Sequence, residues 1–124
     1  MTLDKHLNIL LVDDSATARV SIISLIKDQD ININIAENGI DAIAQIQEHK
    51  PDLILLDISM PVWGGLSVLS VLKNTPLTQH IPVIILSAKD GLHDKAEVLL
   101  LGASDFILKP CKKHTLLDAI ALCS

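Results

Sequence analysis

Hydrophobic residues along this chain form five short runs that alternate with longer amphipathic stretches. The short runs are residues 7–12, 31–36, 53–56, 82–86 and 104–108. Between and after them lie stretches whose apolar residues recur every three or four positions: 15–28, 40–50, 66–73, 94–101 and 112–122. The first pattern predicts β-strands and the second predicts α-helices. Their strict alternation predicts an α/β fold, with a five-stranded parallel sheet covered by helices on both faces.

The composition of each strand predicts its place in the sheet. Residues 53–56 and 82–86 are unbroken apolar runs, which is typical of central strands buried on both faces. In residues 31–36, isoleucine alternates with asparagine, so one face of this strand is expected to contact water. This strand is therefore expected at an edge of the sheet.

Two helices carry more specific predictions. In the first helix, apolar spacings of four, three and three residues predict one buried face, made of Ala16, Val20, Ile23 and Ile26. The fourth helix contains four consecutive apolar residues, 98–101, which occupy more than one face. One of them, Leu100, is therefore expected to be exposed. Gly102, which follows directly, is expected to end this helix in a left-handed conformation.

Length, charge and composition narrow the range of possible functions and locations. With 124 residues, 49% of them hydrophobic, we expect one domain over residues 1–124, with an N-terminal tail of about residues 1–7. A net charge of −5 and scarce aromatic residues argue against direct binding of nucleic acid. No signal peptide and no apolar run of ~18 residues is present, which argues against a membrane location. Cys111 and Cys123 match neither a zinc motif nor a redox motif, so we expect a reduced, cytoplasmic protein.

Polar residues of related chemistry follow four of the predicted strands. Asp13 and Asp14 follow the first strand, Asp57 the third, Ser87 the fourth and Lys109 the fifth. In an open parallel sheet the carboxyl ends of the strands share one rim, where ligands bind. Carboxylates ~5 Å apart repel by roughly 3 kcal/mol at an effective dielectric of about 20, so this cluster predicts a bound cation, for which Mg²⁺ is well suited. With a lysine and a serine beside it, the cluster predicts phosphoryl transfer to a carboxylate.

Each of these residues has a simpler interpretation when it is taken alone. Asp14 or Ser15 is suited to cap the first helix, and Asp57 is suited to a turn. Lys109 is suited to a solvated surface position. The functional interpretation therefore depends on these residues occurring together, because all of their side chains fall at the same end of the predicted sheet.

Four segments resemble the response-regulator receiver domains of two-component signalling: LLVDDS (10–15), LILLDISMP (53–61), IPVIILSA (81–88) and GASDFILKP (102–110). The likeness extends from about residue 8 to residue 122. It implies a flavodoxin-like, doubly wound sheet with strand order 2-1-3-4-5. It also implies a signalling switch that takes a phosphoryl group from a sensor histidine kinase, a phosphotransfer protein or a small phosphodonor, and then changes its partner-binding face.

The resemblance assigns roles to the acidic residues. Asp57 would be the phosphoacceptor. Asp14 would be the main acidic ligand of Mg²⁺, with Asp13 acting directly or through water. Asp57 itself and the backbone carbonyl of Ser59 would complete the protein ligands of the metal.

The resemblance also assigns a switch. Ser87 would move toward the phosphoryl group, Lys109 would pair with that group, and Phe106 would swing inward as Ser87 moves. The Lys109–Pro110 peptide bond is usually cis in the family. Because Phe106 lacks the hydroxyl of the tyrosine found in many relatives, we expect it to be buried more readily, even without phosphate.

Several positions depart from the commonest family pattern. Gly64 stands where an aspartate often precedes the glycine, and Cys111 stands where an aromatic residue is usual. Ser59 and Lys89 occupy positions that tune the lifetime of the phosphoryl group. Because neither residue is a strong acid or an amide that would orient attacking water, we expect a long or intermediate lifetime. No departure removes a residue of the predicted site.

The sequence leaves open whether the chain is a stand-alone regulator or a receiver fragment of a longer one. Output is expected through the face formed by the fourth helix, fifth strand and fifth helix, which would bind a downstream protein or a second copy of the chain. A Mg²⁺-dependent aspartyl-phosphate phosphatase is less favoured, because Ser59 stands where that class has its general acid. A dinucleotide-binding domain lacks its GxGxxG motif here. We expect a protein that reacts only on itself, and not a turnover enzyme.

Overall fold

The computed structural model describes residues 3, 5–59, 65–88 and 95–124. Within them lie five strands, which are β1 (Leu7–Val12), β2 (Ile31–Ala36), β3 (Leu53–Asp57), β4 (Val83–Ala88) and β5 (Asp105–Lys109). The helices between and after them are α1 (Ala16–Ile26), α2 (Gly39–Glu48), α3 (Gly65–Lys73), α4 (Lys95–Leu100) and α5 (Lys113–Cys123). The alternation predicted from the sequence is confirmed.

The five strands form one parallel sheet in the order β2-β1-β3-β4-β5. This is the predicted order, and it places β2 at an edge. The alternation in β2 has the predicted consequence over its first four residues, where Asn32 and Asn34 are exposed and Ile31 and Ile33 are half-buried. It is not kept at Ile35, which is exposed. Strands β3 and β4 lie at interior positions of the sheet, and almost all of their residues are buried.

Three strands continue beyond their predicted ends. β3 includes Asp57, which is paired with Leu86, and β4 and β5 continue to Ala88 and Lys109, which are paired with each other. The polar side chains predicted to follow these strands therefore belong to their last residues. Backbone pairing with the neighbouring strand fixes their positions.

Helices cover both faces of the sheet and close two separate cores. The core on one face takes its helical residues from α2, α3 and α4, and they are Ala42, Ile46, Val68, Leu69, Leu72 and Val98. The core on the other face takes its helical residues from α1 and α5, and they are Ile22, Ile26, Leu116, Leu117, Ala119 and Ile120. Leu3, within the predicted tail, is buried in this second core, and its N–H donates to Gln29 Oε1 at 2.9 Å.

The predicted buried face of α1 is wrong in part. Ile26 is buried and Ile23 is half-buried, but Ala16 is exposed and Val20 is 67% exposed. Ile22, which was not assigned to that face, is buried in the α1/α5 core. The helix contains apolar or small residues on nearly every side, so more than one stripe fitted the helical period. Packing against α5 selects the stripe through Ile22 and Ile26.

The end of α4 has the predicted geometry. Gly102 has a φ of +106°, and its N–H donates to Leu99 O at 3.1 Å. The N–H of Ala103 donates to Val98 O at 3.2 Å, so the two bonds form the left-handed cap that ends many helices. Leu100 is 88% exposed, as predicted.

The helices in the described part of the chain are short. None of them combines the length and the apolar composition that crossing a membrane requires.

Candidate functional site

The polar residues predicted from the strand ends meet at the carboxyl edge of the sheet. Asp13 follows β1, and Asp57 and Lys109 are the last residues of β3 and β5. Because β1, β3, β4 and β5 are consecutive in the sheet, their carboxyl ends share one rim. Ser87 lies on the same rim as the penultimate residue of β4.

The three aspartates form one cluster. Asp13, Asp14 and Asp57 each offer a carboxylate oxygen, and these oxygens lie within 4.8 Å of one another. Asp13 and Asp57 are buried, whereas Asp14 is exposed. The cluster therefore has a buried floor and one side chain that faces water.

Lys109 is the cation that contacts the buried pair. Its Nζ lies 3.4 Å from Asp13 Oδ2 and 3.7 Å from Asp57 Oδ2. Burial raises the pKa of the Asp13 carboxyl, and the nearby Asp57 raises it further, while the hydrogen bond from the Ser15 N–H and the charge of Lys109 act in the opposite direction. Among the described residues, one ammonium is thus shared by two buried carboxylates, so the described charges of the cluster sum to a negative value.

Ser59 holds the carboxylate of Asp57. Its N–H and its Oγ both donate to Asp57 Oδ1, at 3.1 and 2.6 Å. Lys109 contacts the other oxygen of the same carboxylate. The rotation of the Asp57 side chain is therefore restricted from both sides.

The donor set fits a hard divalent cation. Mg²⁺ prefers oxygen ligands and is usually held by one or two carboxylates together with water or phosphate. Asp13, Asp14 and Asp57 supply such oxygens at close range, and the exposed side of Asp14 leaves room for water. Ser59, predicted to add its backbone carbonyl, lies directly beside Asp57.

The predicted switch residues lie on the neighbouring strands β4 and β5. Ser87 is buried, and its Oγ donates to Ala88 O at 3.3 Å. Phe106 is half-buried and packs against the α2/α3/α4 core, so it is not fully outward, and its easier burial without phosphate stays a prediction. The Lys109–Pro110 peptide bond is cis, as the resemblance implied. Gly64 and Lys89 lie outside the described residues.

Arg19 is a residue of this site that the sequence interpretation missed. Its Nη1 donates to the backbone carbonyl of Asp13 at 2.8 Å, and its Nη2 lies 4.0 Å from Glu37 Oε1. The signal for it was present in the sequence. Arg19 carries the one charge of helix α1, and it lies one turn into the helix that follows the two aspartates.

Exposed leucines mark the face predicted for output. Leu99, Leu100 and Leu101 lie at the end of α4, and Leu108 on β5 and Leu122 on α5 are also exposed. A groove between β5 and α5 is lined by Phe106, Leu108 and Leu122 together with charged residues of both elements. This face is therefore both apolar and charged.

Comparisons with known proteins agree with this geometry. The family model of the response regulator receiver domain matches residues 9–121. Protein PilG of Pseudomonas aeruginosa is 38% identical over 114 residues, which are 92% of this chain and 84% of PilG. Response regulator PleD of Caulobacter vibrioides is 41% identical over 103 residues, which are 82% of this chain but 22% of PleD. The solved structure of the chemotaxis response regulator CheY4 of Vibrio cholerae has a TM-score of 0.85 at 25% identity, covering 97% of this chain and all of that one.

The fold, the rim of aspartates with its lysine, and the family match over residues 9–121 lead to the same conclusion. The chain belongs to the response regulator receiver domain family and is a phosphorylation-dependent signalling switch.

Proposed function

We propose that Asp57 is the residue that accepts the phosphoryl group. The observation that carries this proposal is its place on β3, buried at the carboxyl edge beside the other two aspartates and 3.7 Å from Lys109 Nζ. An oxygen of Asp57 would attack the phosphorus of a phosphohistidine or of a small acyl phosphate, and the donor's imidazole or carboxylate would leave. Lys109 would pair with the oxygens of the transferred group.

Asp13, Asp14, Asp57 and the backbone carbonyl of Ser59 are proposed to hold Mg²⁺. The ion would supply positive charge that offsets the charge of the cluster and of the transferring phosphoryl group. Asp14 suits the role of main acidic ligand, because it is the exposed member of the cluster. Because Asp13 already forms an ion pair with Lys109, it suits a secondary role next to Asp14 in holding the ion.

The response to phosphorylation is proposed to run through Ser87 and Phe106. A phosphoryl group adds about −1.5 to −2 charge and three acceptor oxygens. Ser87 Oγ, which donates to a backbone carbonyl at 3.3 Å, is free to exchange that partner for a phosphoryl oxygen. Its departure would leave space for Phe106, which already packs against the adjacent core. The protein would thus act only on itself, unlike a turnover enzyme.

The proposed partners follow from the two surfaces. A sensor histidine kinase or a phosphotransfer protein would supply the phosphoryl group at the rim. A downstream protein, or a second copy of the chain, would bind the α4–β5–α5 face through its exposed leucines. The match to 84% of PilG supports a stand-alone regulator, and the match to 22% of PleD supports the alternative of a receiver within a longer protein. The free thiols Cys111 and Cys123 are consistent with a cytoplasmic location.

The test is intact-mass measurement after incubation with acetyl phosphate and Mg²⁺. We expect one phosphoryl adduct on the wild type, none on Asp57→Asn, and none when a chelator removes the metal. Asp118→Asn, which changes an exposed carboxylate on α5, is the matched control and should be modified like the wild type. An adduct that persists in Asp57→Asn would refute the assignment of the phosphoacceptor.

A further inference from the structure

The backbone of Asp13 reaches beyond the end of its neighbouring strand. Its N–H donates to the carbonyl of Ala36 at 3.0 Å, and Ala36 is the last residue of β2. In a parallel ladder, the carbonyl of Asp13 would next accept an N–H from β2, but β2 ends before it could supply one. Nη1 of Arg19 donates to this carbonyl at 2.8 Å instead. A side chain of α1 therefore takes the place of the missing strand residue.

This contact completes a full set of bonds around Asp13. Its carboxylate Oδ1 accepts the N–H of Ser15 at 3.0 Å, and its Oδ2 lies 3.4 Å from Lys109 Nζ. Together with the bonds to Ala36 and Arg19, every polar group of Asp13 has a partner. The side chain is wholly buried, so water does not replace any of these partners.

The carbonyl that Arg19 holds belongs to the peptide bond between Asp13 and Asp14. Fixing this carbonyl fixes the plane of that peptide, and the plane sets the direction in which the next side chain leaves the backbone. Asp14 is exposed, and among the described residues no hydrogen bond or ion pair restrains its side chain in the way that Lys109 restrains Asp13. The peptide plane is therefore what aims Asp14 toward the cluster.

We propose that Arg19 is a positioning residue that orients Asp14 for binding of the divalent cation, an inference that rests on the metal site proposed above. An arginine suits this role because its guanidinium is planar and directs its N–H donors in a fixed geometry. Here it reaches the Asp13 carbonyl and lies 4.0 Å from Glu37 on the far side. Its side chain is 15% exposed, so the fork lies mostly inside the protein.

The charge of Arg19 and its positioning of Asp14 should have opposite effects on Mg²⁺ affinity. A guanidinium beside a cation site repels the cation, so removing it should tighten Mg²⁺ binding if charge were its main effect. If Arg19 orients the peptide that carries Asp14, removing it should weaken Mg²⁺ binding. The sign of the change therefore separates the two explanations.

The experiment is calorimetric titration of the purified chain with Mg²⁺, for the wild type, Arg19→Met, Arg19→Lys and Glu37→Gln. We expect the Kd of Arg19→Met to rise about tenfold, the change typical when an outer partner of a metal ligand is lost. Arg19→Lys, which keeps one donor and the charge, should fall between Arg19→Met and the wild type. Glu37→Gln is the matched control, because it weakens the 4.0 Å contact and leaves the bond to Asp13, so its Kd should be that of the wild type.

Melting in EDTA separates positioning from a structural role. If Arg19→Met melts at a lower temperature but binds Mg²⁺ as the wild type does, Arg19 supports the fold only and the proposal is wrong. Tighter binding by Arg19→Met would also overturn it, in favour of the charge effect. If Arg19→Met does not fold, the test depends on Arg19→Lys. A Mg²⁺ affinity of Arg19→Lys equal to that of the wild type would then reject the proposal. A wild type that binds no Mg²⁺ would instead refute the metal site itself.

Discussion

Replacing Gly102 by alanine tests how the end of α4 is anchored. Gly102 has a φ of +106°, which L-residues rarely adopt. A Cβ built on it would lie 2.8 Å from Cγ of Lys73. Lys73 cannot simply turn aside, because its Nζ donates to Ile81 O at 2.7 Å and to Gln79 O at 3.1 Å. The substitution therefore strains the backbone and also displaces an anchored side chain.

The expected destabilisation has two parts. Forcing a left-handed conformation on alanine costs about 1–2 kcal/mol. Displacing Lys73 loses one or two hydrogen bonds, at about 1 kcal/mol each. We therefore expect Gly102→Ala to lower the free energy of unfolding by roughly 2–4 kcal/mol in urea titrations.

A double-mutant cycle with Lys73→Ala separates the two parts. In that background Cγ and Cδ of residue 73 are gone and only its Cβ, 3.3 Å from the added methyl group, remains. Gly102→Ala should then cost little more than the backbone part, about 1–2 kcal/mol. An equal cost in both backgrounds would refute the contact with Lys73. A cost below about 0.5 kcal/mol in the wild-type background would refute the reasoning as a whole.

Two further predictions concern the helix start and the N-terminal segment. Ser15→Ala removes the oxygen that accepts the Ala18 N–H at the start of α1, so urea titration should show a loss of about 1 kcal/mol, and no loss would contradict the cap. The hydrogen bond to Asp30 raises the pKa of His6 above its usual 6.5, so its contribution to stability is present below that pH and is lost as pH rises through the raised pKa. Relative to His6→Gln, the wild type should therefore lose stability across that interval in urea titrations, and parallel pH profiles would refute the pairing.

The fold was largely predictable because the strands differ in pattern. Continuous apolar runs predicted the interior strands β3 and β4, and the isoleucine–asparagine alternation predicted the edge strand β2. A strand buried on both faces is apolar throughout, whereas a strand buried on one face alternates apolar and polar residues, so the sequence distinguishes the two. Leu100 was predictable for a related reason, since a helix with four apolar residues in a row cannot bury all of them.

The buried face of α1 was not predictable in the same way. Residues of α1 are mostly small or apolar, so the sequence fits several stripes about equally well. Val20 belonged to the stripe that was chosen, but the packing of α1 against α5 buries Ile22 instead. Which face of α1 is buried depends on α5, which is distant from it in the sequence.

The site was predictable as far as the ends of the strands defined it. Asp13, Asp14, Asp57 and Lys109 could be grouped because parallel strands end at one rim. Arg19 could not be grouped by that rule, since it lies inside a helix. As the one charge of α1 it could be singled out as a candidate, but the sequence does not show that its partner is the backbone carbonyl of Asp13.

Asp13→Asn should stabilise the protein when no divalent cation is present. At an effective dielectric of about 20, the attraction of a carboxylate to an ammonium at 3.4 Å is about 5 kcal/mol, and its repulsion from a second carboxylate at 4.8 Å is about 3.5 kcal/mol. Asp57 exerts such a repulsion on Asp13, the exposed Asp14 exerts a weaker one because water screens its charge, and the burial of Asp13 adds a desolvation penalty. These terms leave its charge unfavourable, and we expect a gain of roughly 1–2 kcal/mol in EDTA.

The same substitution should have the opposite effect in excess Mg²⁺. A cation that binds only the folded protein stabilises it in proportion to its affinity, and the wild type has one more carboxylate to offer. In melting curves followed by circular dichroism, the melting temperature of Asp13→Asn should therefore be above that of the wild type in EDTA and below it in Mg²⁺. The control Asp118→Asn should keep the same position relative to the wild type in both solutions. If Asp13→Asn is the less stable protein in EDTA as well, the buried pair with Lys109 stabilises the fold by itself. A reversal of order, in contrast, is expected only of carboxylates whose mutual repulsion is relieved by a metal ion.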